Sequence, residues 1–146
     1  MSASNFDSKS ILVDGRALPL ANYPHAKKVG PWIFVSDMSC RQADGSHAGV
    51  AIDAAGDTVF DVAGQTRAVL DNLRMGLAAA GAHMRDLVDL TTFLVDMKDY
   101  AAYNAAYNDY FAVDTGPART TVAVAQLPHP NLRLEIKALA YVPEAP

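Results

Sequence analysis

Residues 57–80 carry a pattern that only one kind of element can use. Val62, Thr66, Val69, Leu70, Leu73, Leu77 and Ala80 recur at three- and four-residue steps, the spacing that lines side chains along one face of an α-helix. Asp57 or Asp61 can cap its start, and Gly81 suits a left-handed stop. Arg67, Asp71 and Arg74 fall on the opposite side, toward water. Gly64 and Gly76 fit close packing against a sheet. Such a helix needs an apolar surface to lie on, and the last strand region, 132–141, supplies one. Leu134, Ile136 and Ala138 alternate with Arg133, Glu135 and Lys137, so the first set faces the helices and the second lies on the far face. That far face also needs cover, and a second copy of the chain would give it.

The remaining elements follow from local signals. Residues 1–10 read as a loose N-terminal segment, and 11–13 as a short strand turned by Asp14-Gly15. Residues 32–35 form a buried strand after Gly30-Pro31, and Asp44-Gly45 marks a hairpin turn. A strand spans 86–95. A second helix follows in "MKDYAAYNAAYNDYF", where Tyr100, Tyr103, Tyr107 and Tyr110 share a face and read as core. Strands at 119–125 and 132–141 close the chain around the corner Leu127-Pro128-His129-Pro130. The fold class is α+β, a mixed sheet with two helices on one face.

Composition limits the chemistry. The 146 residues suit a single domain, with 51% hydrophobic and 19% charged residues. The net charge is −4, with no basic block to follow a nucleic-acid backbone. No run is apolar and long enough for a membrane, and no leader pattern opens the chain. The lone Cys40 has no disulfide partner and reads as an inert apolar side chain. Together these fit a cytoplasmic protein. Phosphate-binding loops and nucleophile elbows are missing. His25, His47, His83 and His129 are scattered, so no metal site is expected.

Two residues remain. Arg119 opens a strand that otherwise wants burial, and Glu135 sits inside the last strand. Both can lie on the face away from the helices. An arginine fork holds a carboxylate in two parallel hydrogen bonds, and a nearby carboxylate can orient a water or carry a proton. A structural Arg119–Glu135 ion pair accounts for the same two residues.

"GPARTTVAVAQLP" followed by "LEIKALA" closely resembles the RidA/YjgF family of enamine/imine deaminases. "GPWIFVS", "QTRAVLDNLRMGLAAAG" and "TTFLVDMKDYAAYNAAYNDYF" extend the likeness over most of the chain. The resemblance implies a chorismate-mutase-like fold and a homotrimer built around a central barrel. It implies intersubunit sites and hydrolytic deamination without a cofactor or metal. It also implies that Arg119 grips the substrate carboxylate and Glu135 orients the water. Ser36, Tyr23 and Asn104 correspond to pocket positions, and Thr121 stands where a cysteine is common.

"YPHAKKVG", "VSDMSCRQADGS" and "EIKALAY" resemble the 2-aminomuconate deaminase branch, which acts in catabolism of aminated aromatics. A substrate with two acidic ends calls for a second cation: Arg41, with Lys27, Lys28 and Arg16 behind it. Asp37 stands where the family usually has glycine, which raises the question of a positive φ and of repulsion toward an anion. A general 2-imino acid deaminase and a non-catalytic 2-oxo acid sensor are the alternatives.

Overall fold

The computed structural model describes residues 7–146. Eight strands and two α-helices run in the order β1 (Ser8–Ile11), β2 (Ala26–Val29), β3 (Trp32–Met38), β4 (Val50–Ile52), β5 (Thr58–Phe60), α1 (Val62–Ala79), β6 (Leu87–Leu94), α2 (Tyr100–Asn108), β7 (Ala118–Ala123) and β8 (Leu134–Tyr141) among the described residues. Six strands form one sheet in the order β1-β2-β3-β8-β6-β7. All neighbours are antiparallel except β6 and β7, which run parallel. A parallel pair needs a crossover, and α2 provides it.

The expected first helix is present but starts later than residue 57, because residues 50–60 fold back as the β4–β5 hairpin. Asp61 is the cap: its side chain accepts from the Gly64 amide at 2.9 Å. Val69, Leu70, Leu73 and Leu77 are buried against the sheet. Gly76 does mark close packing, since a Cβ there would sit 3.0 Å from Met38 of β3. Gly64 has a different reason: a Cβ would collide with the capping Asp61 carboxylate. Gly81 takes φ +81° and ends the helix.

Other expectations need correction. Residues 8–10, read as loose, pair with β2, and Asp7 O accepts from the Gly30 amide at 3.4 Å; residues 1–6 of that segment lie outside the described residues. The turn at Asp44-Gly45 is flanked by only one isolated bridge, Arg41 to His47, rather than by a hairpin. The tyrosines divide: Tyr103 and Tyr107 are buried, while Tyr100 is exposed.

One core lies between the helices and the sheet. Gln65, fully buried, ties α1 to the segment before β8: its Nε2 donates to Asn131 O at 2.8 Å, and its Oε1 accepts from the Arg133 amide at 3.0 Å. The opposite sheet face is uncovered and carries Trp32, Phe34, Val122 and Tyr141, all exposed. Among the described residues no helix is long and apolar enough to cross a membrane.

Candidate active site

Glu135 sits on the uncovered face of β8, level with Phe93 of β6. It is only 8% exposed, and burial, reinforced by the nearby Asp37 charge, pushes its pKa up to about 7. It forms the floor of a cleft of about 470 Å³ whose polar lining is Tyr23, Lys27, Ser36, Asp37, Glu135 and Lys137.

A bulge builds this cleft. Val35 pairs with Ala138 and Met38 with Ile136, so Ser36 and Asp37 stand opposite the single Lys137. The extra residue re-aims both side chains. Ser36 Oγ donates to Pro24 O at 2.7 Å, which fixes the Tyr23-Pro24 segment above the sheet. Asp37 resolves the glycine question plainly: no non-glycine residue among those described has positive φ, so aspartate fits without backbone strain. The second half of that question stands, since Asp37 places a carboxylate beside Glu135.

Arg119 is elsewhere. It pairs with Leu90, which pairs with Ala138, and both are core residues. Paired positions share a face, so Arg119 lies on the helix side and not on the Glu135 side, contrary to expectation. The cause is topological: β6 is inserted between β7 and β8. Two strand spacings and three residues of offset separate the two Cα atoms by roughly 14 Å, and no ion pair links them among the described residues.

Instead, Arg119 is held by α2. Nη1 donates to Asn104 Oδ1 at 2.9 Å, and Nη2 to Tyr100 O–H at 3.1 Å. Its guanidinium carbon lies 4.6 Å from the Tyr107 ring centroid and 5.3 Å from that of Tyr103. These partners are neutral, so they orient the fork and leave its charge uncompensated. Thr121 follows on the same side, level with Thr92, and its buried hydroxyl has no partner. The tyrosine stripe is therefore more than core: it forms the cradle of Arg119. Helical spacing alone carries no sign of that use.

The structure thus groups the candidates in two sets. Tyr23, Ser36 and Glu135 share one cleft with Lys27 and Asp37, while Asn104, Arg119 and Thr121 lie at the edge strand β7. Arg41 belongs to a recess beside the first set, together with Arg16. Lys28 pairs with buried Ile33 and faces away from the cleft. Lys137 was missed by sequence reasoning, although its position two residues after Glu135 gives it the same face. Cys40 is buried, and burial raises its thiol to about 11, so it stays protonated. Among the described residues no group of three His, Cys, Asp or Glu gathers to hold a metal ion.

Residues 15–142 match a family model described as endoribonuclease L-PSP. A RutC family protein of Pyrococcus horikoshii is 35% identical over 133 residues, which span 90% of this chain and 95% of that one. The chain belongs to the RidA/YjgF family. Within it, a 2-iminobutanoate/2-iminopropanoate deaminase of Salmonella typhimurium is 32% identical, covering 86% of this chain and 96% of that protein. The crystal structure of the Escherichia coli YjgF gene product superposes with a TM-score of 0.74 at 30% identity, covering 91% of this chain and 98% of that one. A Rid family protein from Yersinia pestis gives 0.76 at 28% identity, covering 92% and 99%. The deaminase named here acts on short 2-imino acids; the 2-aminomuconate branch expected from the sequence gains no support from it.

Proposed function

We propose that the protein hydrolyses 2-imino acids, and the enamines in equilibrium with them, to 2-oxo acids and ammonia. Glu135 carries this reading: a buried carboxyl group poised near neutrality at the floor of an open cleft can accept a proton and give it back at working pH. The deaminase relatives support the substrate class. Water adds its oxygen to the imine carbon while Glu135 takes the water proton. Glu135 passes that proton to nitrogen, which gives a carbinolamine; it then takes the hydroxyl proton and delivers it to the same nitrogen, so that the C=O bond forms as the C–N bond breaks and ammonia leaves a 2-oxo acid.

Arg119 has the chemistry to hold the substrate's C1 carboxylate but lies roughly 14 Å from Glu135 on the opposite face. In this reading the working site is shared between copies of the chain. One copy supplies Tyr23, Ser36 and Glu135, and its neighbour supplies Arg119, Asn104 and Thr121. The uncovered apolar sheet face is the surface through which the copies meet, and a homotrimer meets this need with three equivalent clefts.

The narrower reading, 2-aminomuconate as substrate, is favoured only by the two guanidinium groups near the cleft. The general 2-imino acid reading is the better supported. The test is ammonia release from 2-iminobutanoate generated in situ by an amino-acid oxidase. Wild type should accelerate it, and Arg119→Ala should lower kcat/KM by a factor on the order of 100 to 1000. Full activity in that variant would remove Arg119 from the site. Binding of 2-oxobutanoate without any turnover by wild type would favour a sensor.

A further inference from the structure

Beyond Ser36 and Asp37, a smaller recess of about 50 Å³ adjoins the Glu135 cleft. Arg16 and Arg41 both line it, and Tyr23, Ser36 and Asp37 form the wall it shares with the cleft. Burial, and then the charge of Arg41, lowers the pKa of Arg16. Nε and Nη1 of Arg16 are buried without a hydrogen-bond partner. Arg41 uses Nη1 on Leu18 O at 2.9 Å. Among the described residues no carboxylate lies within 4.0 Å of either guanidinium. Two like charges brought together with buried donors unmet is an unfavourable arrangement unless an anion completes it.

The surrounding backbone is fixed. His25 Nδ1 accepts from the Val13 amide at 2.9 Å, so its Nε2 carries the hydrogen and faces Ala17 O at 3.2 Å. That one buried ring clamps the chain on both sides of Arg16. On the other wall, Asn72 of α1 donates to Ser39 O at 2.8 Å and Arg41 O at 3.1 Å. The two cations are thus pre-positioned, which lowers the entropic cost of binding. The recess has room for one small anionic group and not for a whole organic acid.

We propose that Arg16 and Arg41 form an anion subsite for the distal carboxylate of an acidic 2-imino acid whose reacting carbon lies at Glu135. The proposal rests on the deaminase reading for the identity of the other end. Asp37 on the shared wall disfavours an anion at the boundary, so the span between the two ends should be uncharged.

The test is calorimetric binding of 2-oxo acids, the hydrolysis products, which does not depend on turnover. At least one of 2-oxoglutarate and 2-oxoadipate should bind wild type about tenfold or more tighter than 2-oxobutanoate. Arg16→Gln and Arg41→Gln should each cut that preference by about tenfold. Inorganic phosphate should abolish it competitively. Dicarboxylates no tighter than 2-oxobutanoate on wild type would overturn the proposal, even if neither variant folds. So would variants that weaken all three ligands alike, or phosphate that binds without competing. Failure of the deaminase reading shows separately, as absence of ammonia release by wild type from monocarboxylic and dicarboxylic imines alike.

Discussion

Arg119→Ala and Glu135→Ala should each lose most activity alone and regain part of it together. The reason is geometric. Within one chain the two residues face opposite sides of the sheet, with Cα atoms roughly 14 Å apart, and a substrate of a few carbons cannot touch both. If each cleft draws Glu135 from one copy and Arg119 from the next, a mixed oligomer can contain a cleft with both residues intact. It needs a Glu135→Ala chain donating its Arg119 to an Arg119→Ala chain that keeps its Glu135. Random assembly of equal amounts gives each side of a cleft an even chance of the right donor, so about one quarter of clefts are complete. The two variants, differently tagged, would be co-expressed and purified through both tags. Ammonia release per cleft would then be compared with wild type and with each variant alone. Tandem selection removes the unmixed oligomers, so the recovered fraction should equal or exceed about one quarter. Activity no higher than that of the single variants, with mixed assembly proved by the tags, would refute the shared site.

Three further outcomes follow from the same site. The Glu135 carboxyl is raised from an ordinary 4.5 to about 7, so the folded state holds its proton longer than the unfolded state does. Stability relative to Glu135→Gln should therefore be equal near pH 4 and fall as pH rises through 7, by at most about 3 kcal/mol; urea unfolding with a pH-independent difference would contradict this. Asp37→Asn removes the second cause of the shift and leaves burial, the larger one. The acidic limb of the pH–rate profile should then move to lower pH, and an unmoved limb would show that Asp37 does not act on Glu135. Phe34→Lys introduces a charge into the uncovered sheet face, where Phe34 is 46% exposed beside Leu139. It should dissociate the proposed assembly in sedimentation, and an oligomeric mass equal to that of wild type would contradict an interface through this face.

What the sequence made legible was whatever depends on periodicity. The α1 stripe, the two-sided alternation of β8 and the glycine stop at Gly81 each follow from local spacing, and each is present. The relation of Arg119 to Glu135 was not legible, because it depends on strand order. Two strands consecutive along the chain most often pair, and here β6 lies between them. The β4–β5 hairpin escaped for a different reason. Its strands are three residues each, and Asp53-Ala54-Ala55-Gly56 lies close enough to the helix for Asp57 to look like its cap. The Arg119 cradle was hidden by ambiguity: buried tyrosines at helical spacing pack identically whether or not an arginine stacks on them.

Asp37 is where these levels meet. Its backbone asks for nothing special: its φ is not positive, so aspartate sits there without strain. Its side chain acts on chemistry, because it faces the same cleft as Glu135 and adds to the burial that raises that carboxyl to about 7. A carboxyl held near neutrality is a better proton donor to a departing amine than an ordinary glutamate, and a slightly poorer binder of anions is the cost. Arg16 and Arg41, beyond Asp37 on the adjoining wall, restore positive potential where a second carboxylate would lie. Asp37 and the two arginines, which have no carboxylate partner among the described residues, therefore form a single electrostatic arrangement, with negative charge at the point of proton transfer and positive charge at the point of grip.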